Sequence, residues 1–287
     1  GNLYYSWLAR RQSARTGQRI TALPYGINTV SLFAYILFII APTFRELSAD
    51  PSMAAARAMR VPWQLGLLPC FLSGLVEGLG GLVPGWFRRV TPRAALLSTL
   101  AGIAVGFISM EFILRTYDTP LIGFVPLGLV LVTYLSRVRW PLGLPGGLIA
   151  VAVGTGLAWL MSALGAPGAV PVGGPNLLAG AGWHPPLPVL GDLAAALTSP
   201  QVWSRIAIIV PMGLINLLGA LQCIESAEAE GDSYPERGCL VVNGIGSVAA
   251  ACFGSCFPTT IYIGHPGWKR MGAGWGYSAA NGIFFAV

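Results

Sequence analysis

The stretch of sequence that decides the fold covers residues 201–232 and reads QVWSRIAIIVPMGLINLLGALQCIESAEAEGD. No charged residue follows Arg205 until Glu225, and a run of about twenty apolar residues is what a bilayer-spanning helix needs. Glu225 and Glu228 come three residues apart, so they share one face of that helix. The stretch therefore predicts a transmembrane helix that ends in acidic side chains.

An acid inside a membrane-spanning helix is costly. Insertion of a carboxylate costs about 2.5–3.5 kcal/mol, so such a group normally faces a cavity, a partner or a substrate. We predict that Glu225 is a functional acid of this kind. The alternative is that Glu225 and Glu228 both lie just beyond the membrane and are solvated.

The composition of the whole chain indicates a polytopic membrane protein. Of its 287 residues, 54% are hydrophobic and only 10% are charged, whereas about a quarter of a soluble protein is charged. The predicted spans alternate so that most Lys and Arg fall on one side, which is typical of the cytoplasmic side. The net charge of +6 therefore reflects topology and not nucleic-acid binding.

The apolar segments divide the chain into a series of spans. They run over about 20–44, 62–83, 94–114, 121–135, 142–164, 202–229 and 239–253, with two more that start near 259 and 275. Residues 165–200 are rich in Gly and Pro, and we interpret them as an external crossover loop with one amphipathic turn at Leu190–Leu197. Because the chain starts without Met and stops within an apolar run, we interpret it as a fragment of a longer protein.

Two segments interrupt the helical pattern in the same way. Residues 22–31, ALPYGINTVS, place a Pro and a Gly beside polar side chains, and residues 257–267, FPTTIYIGHPG, repeat these ingredients. Non-helical backbone at membrane depth survives only where it lines a cavity or is buried in protein. Paired interrupted segments indicate the binding site of a secondary transporter. The alternative is that both are ordinary loop-to-helix entries.

Two other acids lie in predicted spans. Glu77 lies within the G-x-x-x-G spacing of Gly74 and Gly78, which suits close helix contact. Glu111 comes four residues before Arg115, which favours an ion pair at a helix end. Either acid could instead relay a proton. The five cysteines form no C-x-x-C pair, which favours buried thiols over disulfides or a metal site.

Three motifs carry a family resemblance. Ile224-Glu225-Ser226, with Gly231-Asp232 following, resembles the acidic eighth-helix motif of the nucleobase-cation symporter-2 family, also called nucleobase-ascorbate transporters or xanthine/uracil permeases. Residues 24–29 resemble the third-helix entry of that family and of its adenine/guanine permease-like branch. Residues 256–267 resemble the segment that carries its tenth-helix signature.

The resemblance implies an all-α polytopic membrane fold of fourteen helices in two inverted repeats, with two half-helices preceded by short strands. Residues 1–86 would form part of a core domain, from the end of helix two to helix four, and residues 87–164 part of a gate domain, helices five to seven. Residues 165–200 would be the crossover loop, and residues 201–287 would return to the core as helices eight to eleven, the last truncated.

The resemblance also implies a substrate site between helices three, eight and ten. Glu225 matches the acid that hydrogen-bonds the base and takes part in proton coupling. The sequence departs from the family at Gly264 and His265, where an acid or amide is usual, and at Thr29, where an aromatic residue often stacks on the base. The predicted substrate-binding residues are Tyr25, Asn28, Thr29, Glu225, Glu228, Thr260, Gly264 and His265.

The departure at residues 264 and 265 leaves two interpretations open. Recognition could rest on the backbone amides around Gly264 and on His265, whose neutral ring donates from one nitrogen and accepts at the other. Alternatively, His265 faces the cytoplasm beside Lys269 and Arg270 and touches no substrate.

The sequence thus predicts a proton- or cation-coupled symporter of a nucleobase-like solute such as a purine or pyrimidine, in a bacterial inner (plasma) membrane. The alternatives are an anion carrier of the sulfate-permease type and a non-transport membrane protein; an enzyme is not expected, because two histidines supply it poorly. The expected partners are the solute, a coupling proton or cation and the lipid bilayer, with a homodimer left open. We expect no cofactor, metal or nucleic acid.

Overall fold

The computed structural model describes residues 1–49, 54–82, 89–136, 140–166 and 186–284, together with Gly85 and Val138. Within these residues, four helical stretches are long and apolar enough to cross a membrane: Thr29–Ser48, Arg93–Asp118, Gly146–Ala163 and Ile206–Ala229. A shorter apolar helical stretch covers Pro120–Thr133. The structure supports the prediction of a mainly helical membrane protein, and the fourteen-helix repeat stays a prediction.

The chain divides into two compact units, Gly1–Ala101 with Pro186–Val287, and Gly102–Pro185. The predicted core and gate domains have other boundaries, at 86 and 201, and they stay predictions. The elements at the start of the first unit are α1 (Asn2–Thr16), β1 (Tyr25–Ile27), α2 (Thr29–Tyr35), a π-helical turn (Ile36–Ile40), α3 (Ala41–Ser48), α4 (Ala55–Gly80) and the beginning of α5 (Arg93–Ile103).

The second unit contains a π-helical turn (Ala104–Ser109), α6 (Met110–Asp118), α7 (Pro120–Leu135), a 3-10 turn (Pro141–Gly143) and α8 (Gly146–Ala163). Arg115 Nη2 lies 2.8 Å from Glu111 Oε1, so the predicted pair at this helix end is confirmed.

After the crossover region the first unit resumes. Its elements are α9 (Leu190–Thr198), α10 (Pro200–Trp203), α11 (Ile206–Ala229), α12 (Glu236–Cys252), β2 (Thr259–Ile261), α13 (His265–Arg270) and α14 (Gly276–Phe284). The predicted start of the acidic helix at Val202 was wrong. A separate turn ends at Trp203, and Arg205, whose Nη1 donates to the carbonyl of Phe38 at 2.6 Å, precedes the first residue of α11.

The predicted amphipathic turn of the crossover region is the helix α9, and this prediction is confirmed. Arg60 Nη2 of α4 and Gln64 Nε2 each lie 2.7 Å from Asp192 Oδ1. The hydrogen bonds from Gln64 and Arg60 lower the pKa of the Asp192 carboxyl, and they attach α9 to α4. Residues 167–185 of the predicted crossover loop lie outside the described residues.

The two interrupted segments meet as a pair of antiparallel strands. Gly26 of β1 lies opposite Thr260 of β2, with one further pair of partners on each side. The pairing continues past both strands, because Asn28 N donates to the Pro258 carbonyl at 2.9 Å and Tyr262 N donates to the Pro24 carbonyl at 2.7 Å. Each proline contributes only its carbonyl at the end of the ladder, where its missing N–H costs no hydrogen bond.

We predict that residues 25–29 and 258–264 leave the helical conformation, and this is confirmed for residues 25–28 and 258–264. It was wrong for Thr29, which is the first residue of α2. The reason is the side chain before it. Asn28 Oδ1 accepts the N–H of Ser31 at 2.9 Å, and this N-cap bond starts the helix one residue after Asn28.

The G-x-x-x-G spacing around Glu77 marks a close helix crossing, as predicted. A side chain on Gly244 of α12 would place its Cβ 2.5 Å from the backbone nitrogen of Gly78, and one on Gly74 would reach 2.8 Å from the Gly244 carbonyl. The backbones of α4 and α12 therefore touch at these glycines. This contact brings the C-terminal part of α4, which carries Glu77, against α12.

The first prediction tests this crossing. Gly244→Ala should lower the free energy of unfolding by about 1–3 kcal/mol, because the added methyl forces backbone apart. The matched control is Gly219→Ala on α11, where no atom lies within 4 Å of the added Cβ. Thermal unfolding of the two purified variants in detergent measures the difference, and equal midpoints for both would contradict the close crossing.

Candidate functional site

The side chains at the strand crossing are already bonded to one another. Tyr25 Oη donates to Thr259 Oγ1 at 2.5 Å. The hydroxyls of Thr29 and Tyr262 lie 2.6 Å apart. Ser247 of α12 receives the N–H of Thr259 at 2.9 Å, which holds β2 against that helix. The hydroxyls of the predicted residues Tyr25 and Thr29 therefore each bond to the second interrupted segment and support the strands.

Asn28 links this crossing to the acidic helix α11. Besides its cap bond, its Nδ2 donates to Asn216 Oδ1 of α11 at 2.5 Å. Asn216 Nδ2 in turn donates to Glu77 Oε2 of α4 at 2.6 Å. The predicted site residue Asn28 is thus buried and serves as a connection between a strand end and two helices.

Glu77 receives a second amide from the opposite direction. Asn243 Nδ2 of α12 donates to Glu77 Oε1 at 2.8 Å, and the Asn243 carbonyl oxygen accepts the hydroxyl of Tyr5 at 2.5 Å. Sequence reasoning considered Glu77 but missed Asn216, Asn243 and Tyr5. The signal was present, since an amide inside an apolar helix commonly bonds across to another helix.

Glu225 is buried, because only 3% of the residue's surface is exposed. The alternative that Glu225 is solvated was therefore wrong, and its position relative to the membrane stays a prediction. Its Oε2 lies 2.8 Å from Nε of Arg93 at the start of α5, a partner that sequence reasoning did not identify. Glu228, one turn further along α11, is partly buried.

Two buried polar atoms, one on α11 and one on β2, have no hydrogen-bond partner within the described part of the chain. They are Gln222 Oε1 and Thr260 Oγ1. Gln222 comes three residues before Glu225 and so shares its face of α11, and α11 packs against β2, which carries Thr260. Buried polar atoms left unpaired cost about 1–3 kcal/mol each, so these two are candidates for a bond to a bound solute. Gln222 was not predicted, although its spacing to Glu225 could have identified it.

His265 lies elsewhere. It is only 2% exposed, so the interpretation as a cytoplasmic surface residue was wrong. Its Nε2 lies 3.1 Å from Asp232 Oδ2 and 3.2 Å from the carbonyl of Thr21. Gly264 precedes it with a φ of 118°, a conformation that favours glycine. A direct contact of Gly264 or His265 with substrate stays a prediction.

Asp232 organises this second cluster. Its Oδ1 accepts Nζ of Lys269 at 2.6 Å, and its Oδ2 accepts the backbone N–H of Thr21 at 3.0 Å. Together with His265, the bonds join the end of α11, the segment before β1 and the helix after β2. These bonds fix the helix after β2 relative to the segment before β1, in addition to the pairing of the two strands. Sequence reasoning noted Asp232 only as part of a motif.

A cavity of about 710 Å³ adjoins the crossing. Five aromatic rings contribute to its wall, those of Tyr25, Tyr262, Trp268, Tyr277 and Phe284. Of the predicted site residues only Tyr25 lines it, and Gln222, Glu225 and Thr260 do not. Residues 285–287, which follow Phe284, lie outside the described part. The unpaired polar atoms of Gln222 and Thr260 therefore lie outside the wall of this cavity.

No protein-family model, no curated protein and no solved structure matches this chain. The fold and the site define a structural class: a mainly helical protein with helices of membrane-spanning length and composition, in which two distant segments cross as paired strands before they enter helices.

Proposed function

We propose that the chain is part of a secondary active transporter, a proton- or cation-coupled symporter of a nucleobase-like solute such as a purine or pyrimidine. The observation that carries the proposal is the antiparallel pair Tyr25–Ile27 and Thr259–Ile261. Helices interrupted in corresponding positions, with irregular backbone at the interruption, are the usual construction of a transporter binding site. The depth of the crossing in the membrane is part of the proposal.

The polar groups beside the crossing suit a flat heterocycle. A carboxylate offers only acceptors, an amide offers both kinds of partner, and a hydroxyl donates and accepts. We assign Glu225 as the main polar anchor, with Gln222 and Thr260 completing the edge that reads the base. Glu228 extends this acidic face, and Tyr25, Asn28 and Thr29 shape the site through their bonds at the crossing.

An anion carrier is the second candidate, because the positively charged Arg93 lies beside Glu225 and could bind an anion. The separation of 2.8 Å between their charged groups argues against it. An anion would have to compete with the Glu225 carboxylate for the guanidinium. A nucleobase, in contrast, can donate its N–H groups to that carboxylate.

The proposal is tested by a binding screen of purines, pyrimidines and small anions against the full-length protein. We expect saturable binding of at least one base and none of sulfate. Binding of sulfate alone would favour the anion carrier, and binding of neither class would favour a membrane protein without a transport role.

The second prediction concerns the anchor. Glu225→Gln should weaken binding of the best base by about 1–3 kcal/mol, since an N–H₂ group replaces one acceptor and faces a donor of the solute. The matched control is Glu111→Gln, the same substitution at an exposed acid of the second unit. Calorimetry or filter binding measures both variants. An unchanged affinity of the Glu225 variant would remove this residue from the site.

A further inference from the structure

Glu77 differs from Glu225 in how its charge is balanced. It is fully buried, at 0% exposure, and its two oxygens accept the amide groups of Asn216 and Asn243 at 2.6 and 2.8 Å. Within the described residues no Lys, Arg or His forms an ion pair with it, whereas Glu225 has Arg93 at 2.8 Å. A carboxylate held in an apolar helix by neutral dipoles alone is costly when charged.

The groups around Glu77 are neutral on every side that the structure describes. The titratable groups that face it are the phenols of Tyr5 on α1 and Tyr25 on β1. The helices α11 and α12 present the amides Asn216 and Asn243 to it. A single proton therefore decides the charge of this part of the core.

One arm of the network can adapt to that proton. If Oε1 of Glu77 is protonated, a half-turn of the Asn243 amide presents its oxygen to the new O–H and its nitrogen to the oxygen of Tyr5. The Tyr5 hydroxyl then turns its hydrogen to the carbonyl of Cys239, which already lies 3.3 Å away. Every polar atom of this arm keeps a partner, so the rearrangement avoids the cost of an unpaired group.

The other arm is fixed. Asn28 Oδ1 accepts the N–H of Ser31 as the cap of α2, so its Nδ2 must face Asn216. Asn216 Oδ1 accepts that group, and its own Nδ2 therefore faces Glu77 in both protonation states. Glu77 thus has one constant donor and one partner that can switch from donor to acceptor, which is what a site needs to hold a carboxylate and a carboxylic acid equally well.

We infer that Glu77 binds and releases the coupling proton of the carrier, with Asn243 and Tyr5 as positioning residues. The inference rests on the proposed transport function and assigns the proton to Glu77 instead of Glu225. The step is a simple addition: a proton from the aqueous phase joins Oε1 on binding and leaves from the same oxygen on release. The Asn28–Asn216 arm joins Glu77 to the strand crossing by hydrogen bonds.

The test uses the full-length protein in liposomes with labelled adenine, xanthine and uracil, each supplied singly. Counterflow at equal pH on both sides needs no net proton movement, whereas accumulation above the outside concentration needs a proton gradient. Glu77→Gln reproduces the protonated network, because its amide donates to Asn243 and accepts from Asn216. We expect this variant to keep counterflow and to lose accumulation, so that the base inside never exceeds the base outside.

If the Glu77→Gln variant accumulates the base as strongly as the wild-type protein does, the inference is overturned. Absence of counterflow in the wild-type protein for all three bases contradicts the proposed function itself, and the inference falls with it. Should Glu77→Gln fail to fold, Tyr5→Phe keeps the ring and removes only the hydroxyl that the switch requires. It should keep counterflow and shift the pH dependence of accumulation, while Glu77→Asp, which retains an acid, should still accumulate. An unshifted pH profile in Tyr5→Phe also overturns the inference.

Discussion

Asp232→Ala is expected to lower the free energy of unfolding by about 3–5 kcal/mol, because it removes the acid of a buried charged cluster and leaves its partners without an acceptor. Asp232 is 1% exposed, and its oxygens hold Lys269, His265 and the N–H of Thr21. We expect most of the purified variant to aggregate or to unfold at a much lower temperature. Thermal unfolding in detergent measures the change.

Glu230→Ala is the matched control for this cluster. Glu230 is two residues away and pairs with Arg270 of the same helix α13 at 2.7 Å, but the Arg270 side chain is 72% exposed. Exposed ion pairs contribute about 0–1 kcal/mol. A loss of stability as large in the Glu230 variant as in the Asp232 variant would show that the loop, and not the buried cluster, carries the effect.

Asn216→Leu should have a comparable effect through the Glu77 network. It removes the fixed donor to Glu77 and leaves Nδ2 of Asn28 without an acceptor. Each of these two buried groups left without its bond costs about 1–3 kcal/mol. Chemical or thermal unfolding in detergent, compared with the wild-type protein, measures the loss.

The control for Asn216→Leu lies two turns further along the same helix. Gln222→Leu is also a buried amide replaced by an apolar side chain, but Gln222 Oε1 has no partner among the described residues. Replacing an unpaired buried polar group by an apolar one is neutral or stabilising. We therefore expect unchanged or higher stability of the Gln222 variant in the absence of solute. Equal losses in both variants would contradict the network.

The breaks in the helical pattern were predictable because they depend on local chemistry. Proline alone does not mark a break, because Pro62 and Pro69 lie inside α4 and Pro211 lies inside α11. Pro24 and Pro258 are each followed by polar side chains and a glycine, and this combination indicates the break.

The prediction placed Thr29 in the break, whereas Thr29 is the first residue of α2. The first residue of α2 is set by the cap bond between Asn28 and Ser31. The sequence pattern alone does not distinguish this start from one a residue later.

The partners of the buried polar groups were not predictable from one sequence. Asn28 and Asn216 are 188 residues apart, and nothing in the period of a helix tells which other helix it will face. The same holds for Arg93 and Glu225, which belong to separate predicted domains. His265 was placed either at a substrate or at the surface, because its partner Asp232 depends on how the end of α11 meets α13.

The central claim, that the chain belongs to a carrier of a nucleobase-like solute, is tested most directly by counterflow. Liposomes containing the full-length protein are preloaded with unlabelled adenine, xanthine or uracil, and uptake of the same labelled base is compared with empty liposomes. We predict a transient, saturable uptake of at least one base that exceeds the empty liposomes and is blocked by excess unlabelled base outside. Uptake equal to that of empty liposomes for all three bases would contradict the claim.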